Sequence, residues 1–196
     1  MQLISPRSNG LLSRHSLSEP GTAPVTAALA RFTRAVVAAR SGRPGAARAD
    51  VAALDSIAAA VEAAPDDYWA RVVRIKRDAA TAWIRFAESD SSGGLALARS
   101  VADEEDVTDK HPITPGELLP ARELEGDMLL AAGRYTDARA AYLATLKREP
   151  GRARSIFGAA RAAQLAGDRA NAARGYREYL RMMETGDGRS WRSRGR

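Results

Sequence analysis

Cysteine is absent from the chain, which excludes disulfides, thiolate metal sites and cysteine nucleophiles together and leaves the redox compartment open. Histidine is almost as scarce, with only His15 and His111, so a zinc site would have to draw most of its ligands from carboxylates. Aromatic residues make up 6 % of the sequence, and runs of β-branched and aromatic residues, the signal for strands, are missing. No apolar stretch reaches the length of a signal-peptide core or a membrane span, and a soluble, cytoplasmic protein without cofactors is the expectation. Glycine-rich phosphate loops, serine elbows and paired-carboxylate signatures are missing too, so the chain is not expected to be an enzyme.

What remains is alanine. The apolar share of 45 % rests largely on it, a composition that favours helices packed closely on small side chains. The net charge of +6 is uneven along the chain: residues 185–196 contribute +3 and residues 1–23 contribute +1, leaving +2 for the segment between. Only Lys76, Lys110 and Lys147 among the 30 basic residues are lysines. The central segment is therefore nearly neutral, and its charge alone does not point to nucleic acid.

Composition also marks the boundaries. Residues 1–23, rich in Ser and Arg and closed by Pro20, Gly21 and Pro24, are expected to form a disordered leader, and residues 185–196, with Gly186, Gly188, Gly195 and no apolar face, a disordered basic tail. A helical domain is expected over 24–184.

Within it, "LAAGRYTDARAAYLATL" aligns without a gap on "QLAGDRANAARGYREYL". Gly133 and Gly167, Ala138 and Ala172, Tyr142 and Tyr176, Leu146 and Leu180 are each 34 residues apart, the mark of tandem structural units. The residue types have physical reasons. A glycine lets the chain reverse between two helices. An alanine is small where the second helix presses on the first, and a tyrosine four residues on lies on the same face, able to fill the gap toward the next pair. Pro150 then stops the second helix.

This 34-residue pattern, with Gly126, Leu129, Gly133, Ala138, Tyr142 and Pro150 in one copy and Ala160, Gly167, Ala172 and Tyr176 in the next, resembles the tetratricopeptide repeat. The aromatic residue usual near the start of the first helix is replaced by Arg122 and Ile156. Upstream, Ala35, Gly42, Ala47, Val51 and Leu54 supply a degenerate copy. Residues 66–107 read as a divergent one, in which Ser89 takes the place of the turn glycine and Gly94 that of the small alanine. The resemblance implies an all-α fold, an α-solenoid of about four antiparallel helix hairpins (about 25–60, 66–107, 117–150 and 151–183) in a right-handed superhelix. Residues 108–123, with Pro112, Pro115 and Gly116, form the loop before the third hairpin. The stretch from there on is also similar to the carboxy-terminal part of longer bacterial tetratricopeptide proteins of unassigned function, of which the chain would be a shortened relative.

In such a solenoid the first helices line a concave face. The resemblance places Phe32, Val36, Lys76, Trp83, Phe86, Glu123, Asp127, Leu130, Arg154, Phe157, Arg161 and Gln164 there. Trp83, Glu123, Asp127, Arg154, Phe157, Arg161 and Gln164 are the candidate groove for a peptide or helix of a partner protein, with Trp83, Phe157 and Arg161 as anchors; residues such as Trp83 and Phe86 are more often core than groove. The basic and asparagine pattern with which some tetratricopeptide domains clamp a peptide carboxylate is absent. Two other readings compete: nucleic-acid association through the arginine tail, with Trp191 stacking on bases, and a metal-dependent enzyme at residues 103–111. In the latter, Asp103, Glu104, Glu105, Asp106 and Asp109 approach His111. Consecutive acids on a helix point in different directions, so the expectation is a solvated helix end.

Overall fold

Helix is what an alanine-rich chain without strand-forming runs should adopt. The computed structural model describes residues 22–62, 67–108 and 118–186, and among them are eight helices and no strand. In order these are α1 (Thr22–Arg40), α2 (Pro44–Glu62), α3 (Asp67–Ala87), α4 (Ser91–Val107), α5 (Ala121–Ala131), α6 (Tyr135–Arg148), α7 (Ala153–Leu165) and α8 (Arg169–Gly186). Pro24 falls in the first turn of α1, where its missing N–H costs nothing, rather than closing a leader. At the far end α8 includes Thr185 and Gly186. The leader to residue 21 with His15, the segment carrying Asp109, Lys110, His111, Pro112, Pro115 and Gly116, and the tail with Trp191 lie outside the described residues.

Each helix packs on the next. The odd-numbered helices also approach one another in succession, α1 on α3, α3 on α5 and α5 on α7, whereas among the described residues the backbones of the even-numbered helices approach only their chain neighbours, α4 and α6 meeting through the Asp106–Arg148 pair at 3.7 Å. The array is therefore drawn together on its odd-numbered side.

Four turns repeat one local structure. Gly42, Ser89, Gly133 and Gly167 all have φ between 70° and 80°. In each case the following residue donates its backbone N–H to the carbonyl five positions back: Arg43 to Ala38, Asp90 to Arg85, Arg134 to Leu129 and Asp168 to Ala163, at 2.9–3.0 Å. This closes the helix by satisfying one of its last carbonyls. Ser89 stands in for glycine with the backbone unchanged, and Asp90 then accepts the Gly93 N–H at 2.9 Å to start α4.

Five residues beyond each of these turns is the small crossing residue. Ala47 and Ala138 are fully buried and Ala172 nearly so, and a Cβ on Gly94 would lie 2.8 Å from the Ala82 carbonyl oxygen. Helices whose crossing points carry almost no side chain approach closely, which is how an alanine-rich core reaches native density. One buried cluster runs from α1 into α5 through Phe32, Leu54, Val73, Trp83 and Met128. A second joins α5, α6 and α7 around Leu129 and Tyr142.

The odd-helix layer corrects part of the expected groove. Phe32, Val36, Lys76, Trp83 and Glu123 are buried, because α1, α3, α5 and α7 cover one another's flanks. Tyr176 also departs from expectation. Tyr142 is 1 % exposed, but its counterpart one repeat later is only half-buried, since no described helix follows α8.

Candidate functional site

Asp127 on α5 is the hub of the odd-helix side. Its carboxylate accepts hydrogen bonds from Arg40 of α1 at 2.7 Å, from the Tyr142 hydroxyl of α6 at 2.6 Å and from Arg154 of α7. The Arg40 guanidinium also lies over the Trp83 ring of α3, 4.8 Å from its centroid, an arrangement in which ring quadrupole and cation attract. Arg40 thus ties α1 to α3 and α5. Burial of the Tyr142 ring, with the Asp127 charge beside it, pushes the phenol well above the ordinary tyrosine pKa. The hydroxyl stays a donor and the carboxylate an acceptor.

Beside this hub the odd helices leave a cleft of about 320 Å³, lined by Arg40, Trp83, Asp127, Leu130, Ala131, Arg161 and Leu165. Its wall is apolar at Leu130, Ala131, Leu165 and the Trp83 ring. The Trp83 N–H is buried with no hydrogen-bond partner among the described residues. Asp127 already accepts three hydrogen bonds, whereas Arg161 is exposed and forms no ion pair with a described residue. Among the described residues, Arg161 is therefore a positive charge lining the cleft without an ion pair.

The expected groove residues separate into two groups. Trp83, Asp127 and Arg161 meet at the cleft. Glu123 and Arg154 are spent on holding α7 to α5: Glu123, fully buried, accepts from Ser155 at 2.6 Å and Arg152 at 3.1 Å. Phe157 and Gln164 instead face α8, where Phe157 packs on Tyr176 and Tyr179 with centroids 5.8 and 5.3 Å away. The Tyr176 hydroxyl donates to Gln164 at 2.7 Å. Sequence reasoning missed Arg40 and Leu165 as parts of the cleft. Arg40 is 87 residues from the carboxylate it binds, and no local spacing reveals such a pairing.

The acidic stretch 103–106 is a solvated helix end only in part: Asp103 and Glu104 are exposed, whereas Glu105 and Asp106 are half-buried. Arg122 of α5, only 7 % exposed, donates to Asp103, to Asp106 at 2.6 Å and to Glu125 at 2.8 Å. Burial would lower the Arg122 pKa, but the hydrogen bonds to these three carboxylates outweigh it and hold the value above that of a free guanidinium. Glu105 binds the buried Lys76 ammonium at 2.9 Å and accepts the Ala121 N–H at the start of α5. Arg122 is thus the anchor of α5 on α4. Among the described residues no group of three or more histidine, cysteine or acidic side chains could hold a metal ion. No described helix is long and apolar enough to cross a membrane.

No protein-family model, curated protein or solved structure matches the chain.

Proposed function

We propose that the chain is a protein-interaction module of the tetratricopeptide type. In this reading the helix pairs are antiparallel hairpins stacked as a right-handed α-solenoid, the odd-numbered helices form its concave face, and a peptide or helix of a partner protein lies against that face. The supporting observation is the cleft to which α1, α3, α5 and α7 all contribute. It sets leucine side chains and the largely buried Trp83 ring, over which Arg40 lies, beside Arg161, and tryptophan and arginine are residue types enriched where interface energy concentrates. The internal pairing of Asp127 with Arg40 and Arg154 gives the cleft a fixed shape before anything binds, which lowers the entropic cost of association. The commitment of Asp103, Glu105 and Asp106 to Arg122 and Lys76 favours a structural role for those acids over acid–base chemistry.

Arg161 and Leu165 are exposed, so Arg161→Glu and Leu165→Asp change the cleft without entering the core. A partner co-purified with the wild-type chain should be lost with either variant at unchanged melting temperature. It should be kept by Ala140→Glu, an exposed substitution on α6. Equal recovery with all three variants would remove the cleft from consideration.

A further inference from the structure

The two carboxy-terminal helix pairs share one register, so whatever covers the first shows what would fit the second. On α5–α6 the cover is α7. Gly158 lies against the Tyr142 ring, Arg154 donates to Asp127, and Ser155 and Arg152 donate to Glu123. Thirty-four residues after Glu123, Asp127 and Tyr142 stand Phe157, Arg161 and Tyr176. These positions have no cover among the described residues. Phe157 is 40 % exposed and Leu180, one turn beyond Tyr176, is 59 % exposed, while Arg161 forms no ion pair with a described residue.

We propose that this face of α7 and α8 docks one further helix, supplied by a partner protein, which carries a carboxylate where α7 carries Arg154 and a glycine or alanine one turn later, where α7 carries Gly158. Charge fixes the chemistry. Where α5 presents Asp127 to an arginine, α7 presents Arg161, so the incoming helix must reverse the sign. Where α5 presents Glu123 to a serine and an arginine, α7 presents Phe157, so the incoming side chain must be apolar. The tyrosine is retained, and with it the need for a small residue against the ring. α1 contains no acidic residue, so a second copy stacked by its first helix would offer Arg161 no carboxylate. Residues 187–196 hold four arginines against Asp187. Complementarity therefore selects an acidic helix from another protein. This surface adjoins the cleft of the proposed function but does not depend on it.

The test uses the full-length protein and two synthetic peptides spanning residues 152–165, each held helical by a lactam bridge and each carrying Ser155→Leu. One keeps Arg154 and the other carries Arg154→Glu. By fluorescence anisotropy the wild-type protein should bind the Glu peptide at least about tenfold more tightly than the Arg peptide. Arg161→Asp should reverse that order, and Phe157→Ser should weaken both. Leu165→Ser, which alters the cleft without adding a charge beside Arg161, should leave both affinities unchanged, which separates failure here from failure of the cleft. The proposal is overturned if neither peptide binds or if Arg161→Asp does not reverse the preference. Concentration-dependent self-association of the wild-type protein that Arg161→Asp abolishes would also overturn it, by assigning the face to a second copy.

Discussion

Tyr142 and Gly158 are in such close contact that a Cβ added to the glycine would lie 2.6 Å from the ring carbon Cζ. On the opposite side a Cβ on Gly126 would come within 2.9 Å of the same ring. One tyrosine from α6 is thus clamped between the backbones of α5 and α7, and its hydroxyl is anchored on Asp127. A large residue filling a gap between two residues with no side chain sets the spacing of the helix pairs, because a packed interior has no room for either backbone to move closer.

Gly158→Ala should therefore lower stability by about 1–3 kcal/mol in chemical denaturation, the cost of overpacking a rigid site. The cause is specific to the ring, so Tyr142→Leu in the same chain should recover part of the loss. A double mutant whose cost is the sum of the single costs would show that the two positions act independently.

The same contact predicts unequal tyrosines. Tyr142→Ala removes a ring enclosed on both sides and should cost about 3–5 kcal/mol. Tyr176→Ala removes one that is half-buried, packed on Phe157 alone of the aromatic side chains on α7, and should cost less than half as much. Equal shifts in the urea midpoint would contradict the difference in enclosure between the two rings.

Much of this scaffold was legible in the sequence because it depends on residues whose small size or turn preference has local causes. Gly42, Gly133, Gly167 and even the substitute Ser89 mark turns that the structure reproduces, and Ala47, Gly94, Ala138 and Ala172 fall at the crossings. The site was less legible. Glu123 and Arg154 match the outward register of a first helix, yet they pair with each other's helices. Register gives a direction, not what lies in that direction. Arg40 reaches Asp127 only because three odd helices stack in order. Arg122 looked like a departure from the pattern until Asp103, Asp106 and Glu125 were seen around it.

Ser89 carries a conformational cost that its three counterparts avoid. With φ at 73° its Cβ crowds the backbone, as it does for any L-residue in the left-handed region. The side chain is exposed, so Ser89→Gly loses no packing and should raise stability by about 0.5–1 kcal/mol. Gly133→Ser, the reverse change in the same turn, should lower it by about 1 kcal/mol. Thermal unfolding of the two variants should show shifts of opposite sign.

Alkaline pH isolates the Tyr142 hydroxyl. Burial and the neighbouring Asp127 charge raise its pKa in the folded chain, whereas in the unfolded chain it ionises near the usual tyrosine value of about 10. A group whose protonated form is favoured by folding contributes stability in full below the unfolded pKa and loses it as pH rises beyond that value. Above pH ~10 the unfolded chain alone releases this proton, so each further pH unit should destabilise the wild type by up to about 1.4 kcal/mol on this account. Tyr142→Phe has no such proton. At neutral pH it should be less stable than the wild type by about 1 kcal/mol, the hydrogen bond to Asp127 being lost. Between pH 8 and pH 11 that difference should shrink and then change sign, because all other titrating groups are common to the two proteins and cancel. Stability curves that stay parallel over this range would mean that the hydroxyl ionises alike in both states, and that Asp127 and the two glycines do not enclose it.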